Sequence, residues 1–209
     1  MPTRFPWAER RGELNCLYPA YGRDGGNYTR IRLAGGEEVE YPKRIKTVVE
    51  EICRAFGTTS NALREVYGPL VNMKNHVPLP LAGDLVLVPV PVRQPQAGSD
   101  GALGYFVLDR YAECRPLPEP PDCPSLIVFQ DGTGLPCRLH REAVEERRLK
   151  ARLVAGEYER LHSRVPAAWS GVTNSGDAAG LPRLNGREPV LAFIGYGFPL
   201  PHGPAGSGE

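Results

Sequence analysis

The sequence predicts an α+β fold with small antiparallel sheet elements, two main helices and a disordered C-terminal tail. Two runs that alternate apolar and polar residues flank a Gly-Gly turn at residues 35–36, which is typical of a β-hairpin. Apolar residues with helical spacing precede Gly57, and a second long helical segment follows residue 140. After residue 165 the composition shifts to Gly, Ala, Pro, Ser and Asn, which favours disorder.

A chain of 209 residues has room for one domain of ordinary size and a tail. Residues 1–12 are charged and contain proline, so we interpret them as a flexible N-terminal arm. The domain is predicted to span residues 13–165, and residues 166–209 form the predicted tail. Within that tail, residues 189–199 are apolar and aromatic, which makes them a candidate docking peptide.

The domain is predicted to begin with three strands. Residues 14–18 are a short apolar run, and residues 28–33 alternate apolar with polar side chains. Residues 38–41 follow the Gly-Gly turn and complete the predicted hairpin. The alternation places Arg30 and Arg32 on one face of its first strand.

Residues 42–56 have the strongest helical pattern. Six of their apolar side chains fall on one stripe of an α-helix. These are Ile45, Val48, Val49, Ile52, Cys53 and Phe56. Gly57 is the expected end of this helix. A Thr or Ser at positions 58–60 is expected to cap a second helix that ends near Tyr67.

The second half of the domain contains further strands. Residues 85–92 are continuously apolar, but Pro89 and Pro91 cannot donate a backbone hydrogen bond. We therefore predict a strand that ends at these prolines or lies on a sheet edge. Residues 115–124 are rich in proline and are predicted to be irregular. More strands are predicted at residues 104–108, 126–129 and 135–139.

A second long helix is predicted over residues 141–161. One of its faces is expected to carry Leu149, Arg152, Leu153 and Gly156. The remainder is heavily charged, and the cations at 147, 148 and 150 follow Glu145 and Glu146 closely enough for ion pairs within the helix.

Composition excludes few classes of function. Lys and Arg number 25 and Asp and Glu number 24, a formal charge of +1, and a neutral total leaves room for a local basic patch. The N-terminus lacks the apolar core of a secretory signal, and no run of about 18 apolar residues occurs. We therefore expect a cytoplasmic protein with reduced thiols and no membrane partner.

Motifs of common enzymes are missing from the sequence. It contains no glycine-rich phosphate loop, GxSxG, HExxH or CxxC, so we predict neither catalysis nor a cofactor. A set of Cys114, Cys123, Cys137 and His140 is a conceivable zinc site, but only the Cys137–His140 spacing matches a zinc knuckle. Unrelated thiols are the favoured interpretation, and we predict no metal. Cys53 lies on the apolar stripe, as expected of a packed core thiol.

Cationic and amide side chains occur at the joints between predicted elements. Lys74, Asn75 and His76 stand together in a loop just before Pro78. Such a loop is suited to placing a cation and hydrogen-bond donors against phosphates or a groove floor. A second cluster marks the start of the first helix: Lys43, Arg44 and Lys46.

One order of residues resembles the ComK family. A helix ends in Cys-Arg-Ala-Phe-Gly at 53–57, Arg64 follows on the next helix, and Asn-His-Val-Pro-Leu-Pro at 75–80 leads to an apolar strand that reaches Pro89. Residues 126–152 continue the likeness with a strand, an Asp-Gly turn, a Leu-Pro pair and a long charged helix. ComK proteins are bacterial competence transcription factors.

The resemblance covers about residues 14–158 and implies a DNA-binding activator of competence-type genes. It implies an oligomer that recognises A·T-rich double-stranded promoter DNA through the minor groove, under the control of a proteolytic adaptor. Five candidate DNA contacts match family positions loosely: Arg54, Arg64, Lys74, Asn75 and His76. The cationic cluster adds Lys43 and Arg44. Two alternatives stay open, a protein–protein interaction module that kept the fold but lost DNA binding, and an enzyme with a metal at the cysteine–histidine set.

Overall fold

The fold is α+β with antiparallel sheets, as predicted. The computed structural model describes residues 5–22, 25–97, 100–119 and 122–162. These residues form three α-helices: α1 (Ile45–Ala55), α2 (Ser60–Tyr67) and α3 (Arg141–His162). They also form nine strands: β1 (Leu14–Tyr21), β2 (Asn27–Leu33), β3 (Glu38–Tyr41), β4 (Leu79–Ala82), β5 (Leu85–Pro91), β6 (Leu103–Val107), β7 (Tyr111–Pro116), β8 (Ser125–Phe129) and β9 (Gly134–Cys137).

The strands form two antiparallel sheets. The larger has six strands in the order β3-β2-β1-β6-β5-β4, and the smaller has three in the order β7-β8-β9. The predicted hairpin is confirmed, because Ile31 of β2 pairs with Val39 of β3. Strand β7 overlaps the segment expected to be irregular, since Tyr111–Pro116 pairs with β8 despite the prolines that follow it.

Both faces of the six-stranded sheet are buried, which explains the continuous apolar sequence of β5. Leu17, Ile31 and Leu87 join one core together with the apolar side chains of α1 and α2. Val88 and Phe106 point to the other face and join a second core with the smaller sheet. The alternation of side chains along each strand therefore supplies two cores.

The apolar stripe of α1 is buried as predicted. Ile52 and Cys53 are fully buried, and Phe56 forms the C-cap of the helix. The side chain of Thr59 caps α2 by accepting a hydrogen bond from the backbone N–H of Ala62 at 3.2 Å. These two helices were predictable because caps and helical spacing are local signals.

Helix α3 buries a different face from the one expected. Leu149 and Leu153 are 55% and 60% exposed. Val144, Ala151 and Val154 are fully buried instead, because this stripe faces both cores. The charged sequence of α3 gave little periodic signal by which to choose the buried face.

Strand β5 passes through its first proline. Strand β4 pairs only with the first half of β5, where Leu79 lies opposite Leu87. On the other side Pro89 lies opposite Tyr105 of β6, and β5 continues to Pro91. Pro89 and Pro91 therefore lie in the part of β5 that, among the described residues, does not pair with β4.

Part of the predicted N-terminal arm belongs to the core. Phe5 and Trp7 are 8% and 4% exposed, and their ring centroids are 4.4 Å apart. Trp7 also contacts the ring of Tyr41 edge-on at 6.2 Å. Residues 1–4 and the predicted tail at 166–209, including 189–199, lie outside the described residues.

Candidate nucleic-acid interface

A surface pocket gathers three of the predicted contact residues. Helix α2, the loop at residues 72–78 and strands β5 and β6 surround it. It has a volume of about 210 Å³. Its lining includes Arg64, Asn75 and His76 together with Val77, Pro89, Leu103 and Tyr105. Residues that are far apart in the sequence thus share one site.

The loop that carries Asn75 and His76 is held by a tight turn after α2. Gly68 is required there, because a Cβ atom would lie 2.5 Å from the carbonyl oxygen of Arg64 and 2.6 Å from that of Met73. Asn72 and His76 both have left-handed backbone conformations, with φ of 53° and 57°. Val77 is 1% exposed and anchors the far end of the loop in the core. This framework turns the side chains of Asn75 and His76 to the surface.

Arg64 enters the pocket from the middle of α2. Leu63 and Tyr67 on that helix are buried, which leaves Arg64 half-buried beside β6. Burial raises the pKa of Tyr105, and the charge of Arg64 and a hydrogen bond with it act in the opposite direction. The guanidinium therefore lies close to the phenol of Tyr105, and both side chains line the pocket.

Arg147 of α3 lies beside the pocket without being one of its lining residues, and it was not among the predicted contacts. Its Nη1 donates a hydrogen bond to the carbonyl oxygen of Pro89 at 2.7 Å. The expected ion pairs within the helix involve its neighbours, since Arg148 pairs with Glu145 at 2.6 Å and Lys150 with Glu146 at 2.7 Å. Burial lowers the pKa of Arg147, as expected for a cation that is partly removed from water.

The buried stripe of α3 is the signal that could have singled out Arg147. Arg147 lies three residues after Val144 and four before Ala151, so it shares the face that packs against the sheets. An arginine within an apolar stripe indicates a cation directed toward the protein rather than toward solvent. The stripe was recognisable only once the buried face of α3 was known.

The charges of Arg64 and Arg147 both act on the imidazole of His76. Partial removal of the imidazole from water lowers its pKa, and the positive charges of Arg147 and Arg64 lower it further. The imidazole is therefore neutral near pH 7 and able to donate one hydrogen bond and accept another.

Most of the predicted cations have no acidic partner. Within the described ranges, four of the five form no ion pair with a carboxylate: Arg44, Arg54, Arg64 and Lys74. Lys43 differs, because its Nζ lies 2.5 Å from Oε1 of Glu51. This pairing makes Lys43 the least available of the predicted DNA contacts.

The predicted contacts do not form one compact cluster. Arg44 precedes α1 and Arg54 lies in its last turn, so ten helical steps place them roughly 15 Å apart. Lys74 is exposed in the same loop as Asn75 and His76. Only Arg64, Asn75 and His76 of the predicted contacts thus line the pocket, whereas Lys43 and Arg44 lie at the start of α1.

The thiols give no support to a metal or nucleophilic centre. Among the described residues, no group of three or more His, Cys, Asp or Glu side chains is placed to hold a metal ion. Cys114 and Cys137 are buried, and burial raises the pKa of Cys137 to about 11. Burial raises the pKa of Cys53 to about 12, so its thiol is protonated and unreactive.

In the part of the chain that the structure describes, none of the helices combines the length and the apolar character needed to cross a membrane. Comparison of the chain with models of protein families, with curated proteins and with solved structures finds no match.

Proposed function

We propose that this protein is a cytoplasmic transcription regulator of the ComK type that binds A·T-rich double-stranded DNA. The observation that carries the proposal is the convergence of Arg64, Asn75 and His76 on one surface pocket. Arginine, lysine, asparagine and glutamine are the side chains with which proteins contact the minor groove and its phosphates. The ComK resemblance supplies the expectation that the target is promoter DNA and that the regulator is an oligomeric activator.

Unpaired charge supports the proposal. Arg54, Arg64 and Lys74 have no carboxylate partner among the described residues, so they are available to displace counterions from DNA. The near-neutral charge of the whole chain is compatible with this, because the local arrangement of charge governs the encounter.

The test is fluorescence anisotropy with labelled A·T-rich and mixed-sequence duplexes. We expect tighter binding to the A·T-rich duplex and a steep loss of affinity between about 50 and about 200 mM salt. Equal absence of binding to both duplexes at low salt would overturn the proposal.

Two variants assign the binding to the pocket residue Arg64 and to Lys74 in the adjoining loop. Arg64→Gln and Lys74→Gln should each weaken binding and reduce the slope of log affinity against log salt by about 1 if they contact phosphates. Arg115→Gln is the matched control, because Arg115 is exposed and already pairs with Glu113 at 2.5 Å. If Arg115→Gln weakened DNA binding as much as Arg64→Gln, the surface that contacts DNA would lie elsewhere.

Exposed apolar side chains favour a second candidate, a protein–protein interaction module that kept the fold without DNA binding. Large hydrophobic residues on α2, the turn after it and α3 are 45–60% exposed. These are Val66, Leu70, Leu149, Leu153 and Leu161. Light scattering of the wild type and of Leu149→Ser/Leu153→Ser separates the candidates. Self-association that the substitutions abolish, together with no DNA binding, selects the interaction module.

A further inference from the structure

The pocket between α2, β5 and β6 is small and only partly apolar. Its volume of about 210 Å³ lies below the ~300–1,000 Å³ that pockets for drug-sized ligands occupy. Val77 and Leu103 contribute apolar walls, whereas Arg64, Asn75 and His76 contribute polar groups. The size and lining suit one small polar group better than an extended organic molecule.

Positive charge enters the pocket region from two helices. Arg64 lines it from α2. Arg147 of α3 lies at its margin, where it donates a hydrogen bond to the carbonyl oxygen of the lining residue Pro89 and its charge acts on His76. Neither guanidinium pairs with a carboxylate in the part of the chain that the structure describes. A guanidinium has five N–H donors, so the single bond from Arg147 to Pro89 leaves donors for a further acceptor.

The acidic side chain whose charge acts on the same residues as Arg64 is engaged elsewhere. Glu50 of α1 influences Cys53 and Tyr105, as Arg64 does. Its carboxylate accepts hydrogen bonds from the hydroxyl and the backbone N–H of Ser60 at the start of α2. Glu50 therefore joins the two helices and forms no ion pair with Arg64.

We propose that this pocket binds a single phosphate group, held by the guanidinium groups of Arg64 and Arg147 with Asn75 and His76 as further hydrogen-bond donors. Arginine is suited to this role because its planar fork matches two phosphate oxygens. The phosphate belongs either to the DNA backbone or to a small phosphorylated molecule. Phosphate binding at this pocket does not depend on DNA binding, because a free phosphate ester offers the same oxygens.

The pKa of the His76 imidazole should report whether phosphate is bound in the pocket. The charged or titratable groups around it are Arg64 from α2, Arg147 from α3, Tyr105 from β6 and Lys74 from its own loop. The cations of α2 and α3 disfavour its protonation. A bound phosphate dianion opposes their effect, so the pKa of His76 should rise when phosphate binds.

The experiment is an NMR titration of the full chain with inorganic phosphate, and with sodium chloride at equal ionic strength. We expect phosphate, but not chloride, to shift the side-chain N–H signals of Arg64 and Arg147 and to raise the pKa of His76. Identical shifts with chloride, or no shift with phosphate, would overturn the proposal. These signals are read in the wild type, so the result does not depend on a variant that folds.

Substitution then assigns the ligands. Arg147→Gln and Arg64→Gln should each weaken phosphate binding at least about tenfold, because a charge-assisted hydrogen bond is lost. Arg152→Gln is the matched control, since Arg152 is exposed on the same helix and should change the affinity by less than about twofold. Equal affinity in Arg147→Gln and Arg152→Gln would show that Arg147 does not hold the phosphate.

A second titration identifies the source of the phosphate. If an A·T-rich duplex shifts the same Arg64 and Arg147 signals and displaces inorganic phosphate, the pocket takes a backbone phosphate. If the duplex leaves these signals unchanged while inorganic phosphate shifts them, the pocket takes a small phosphorylated molecule. Failure to bind DNA would therefore not contradict phosphate binding at the pocket. Absence of the phosphate-induced shifts of Arg64, Arg147 and His76 would contradict it.

Discussion

His76 combines an uncommon backbone conformation with a position at the proposed site. Its φ of 57° lies in the left-handed region, which costs an ordinary residue about 1–2 kcal/mol. Such strain is concentrated at functional sites, where the surrounding structure enforces it. Here the tight turn at Gly68 and the buried Val77 hold the loop on both sides of His76.

Two substitutions at this residue should separate stability from binding. His76→Gly should leave the free energy of unfolding within about 1 kcal/mol of the wild type, because glycine adopts this conformation freely. His76→Val should lower it by about 1–2 kcal/mol, because a β-branched residue tolerates positive φ poorly. Both should weaken DNA binding by removing the imidazole. Urea denaturation and anisotropy measure the two effects, and equal stability of the two variants would contradict the strained backbone.

The turn between β8 and β9 connects the two sheets through Asp131. Its carboxylate accepts hydrogen bonds from Asn15 of β1 at 2.7 Å and from the backbone N–H of Gly35 at 2.9 Å. It also accepts two hydrogen bonds from Thr133 within its own turn. Burial alone would raise the pKa of Asp131, but these donors outweigh it and hold the pKa at about 2.

Asp131→Ala should lower the free energy of unfolding by roughly 1–3 kcal/mol at pH 7, because the buried amide of Asn15 loses an acceptor. The folded-state pKa lies below the unfolded value, so the carboxylate stabilises the protein above about pH 4. That contribution is lost as the pH falls toward about 2, where wild type and variant should converge. Urea denaturation across this pH range measures the difference.

The control for this series is Asp84→Ala. Asp84 makes one exposed ion pair with Arg11 at 3.1 Å, which is expected to contribute at most about 1 kcal/mol. If Asp84→Ala lowered the free energy of unfolding as much as Asp131→Ala, the change in net charge, rather than the link between the sheets, would account for the lost stability.

The whole molecule is organised around a six-stranded sheet with a core on each face. The helices α1 and α2 cover one face, the smaller sheet covers the other, and α3 contributes to both cores. The Tyr158 hydroxyl of α3 donates a hydrogen bond to the carbonyl oxygen of Leu81 on the edge strand β4 at 3.2 Å. Helix α3 therefore protects the edge that would otherwise be open to pairing.

The N-terminal residues complete the first of these cores, so the fold should depend on Trp7. Trp7→Ala should lower the free energy of unfolding by about 3–5 kcal/mol, because it removes a buried ring. Trp7→Phe should cost less than about 1.5 kcal/mol, since the indole N–H has no acceptor among the described residues. Denaturation followed by circular dichroism tests both. An unaffected Trp7→Ala would mean that residues 5–12 contribute nothing to the domain.

The local sequence was sufficient for the elements whose signals are local. The apolar stripe of α1, the cap at Thr59 and the hairpin of β2 and β3 agree with prediction, because helical spacing, capping and strand alternation act over a few residues. The sequence also singled out Arg64, Asn75 and His76 as candidate contacts. Strand β7 and the core position of Trp7 were missed, because both depend on partners that are distant in the chain.

Tertiary structure alone decided which charges remain available. Lys43 and Arg64 are both predicted DNA contacts, but folding pairs Lys43 with Glu51 and leaves Arg64 without a carboxylate partner among the described residues. Folding also brings Arg147 to the carbonyl oxygen of Pro89, 58 residues away in the chain. The sequence specifies which cationic and amide residues the protein has. Their arrangement around one pocket depends on long-range packing, which no local pattern encodes.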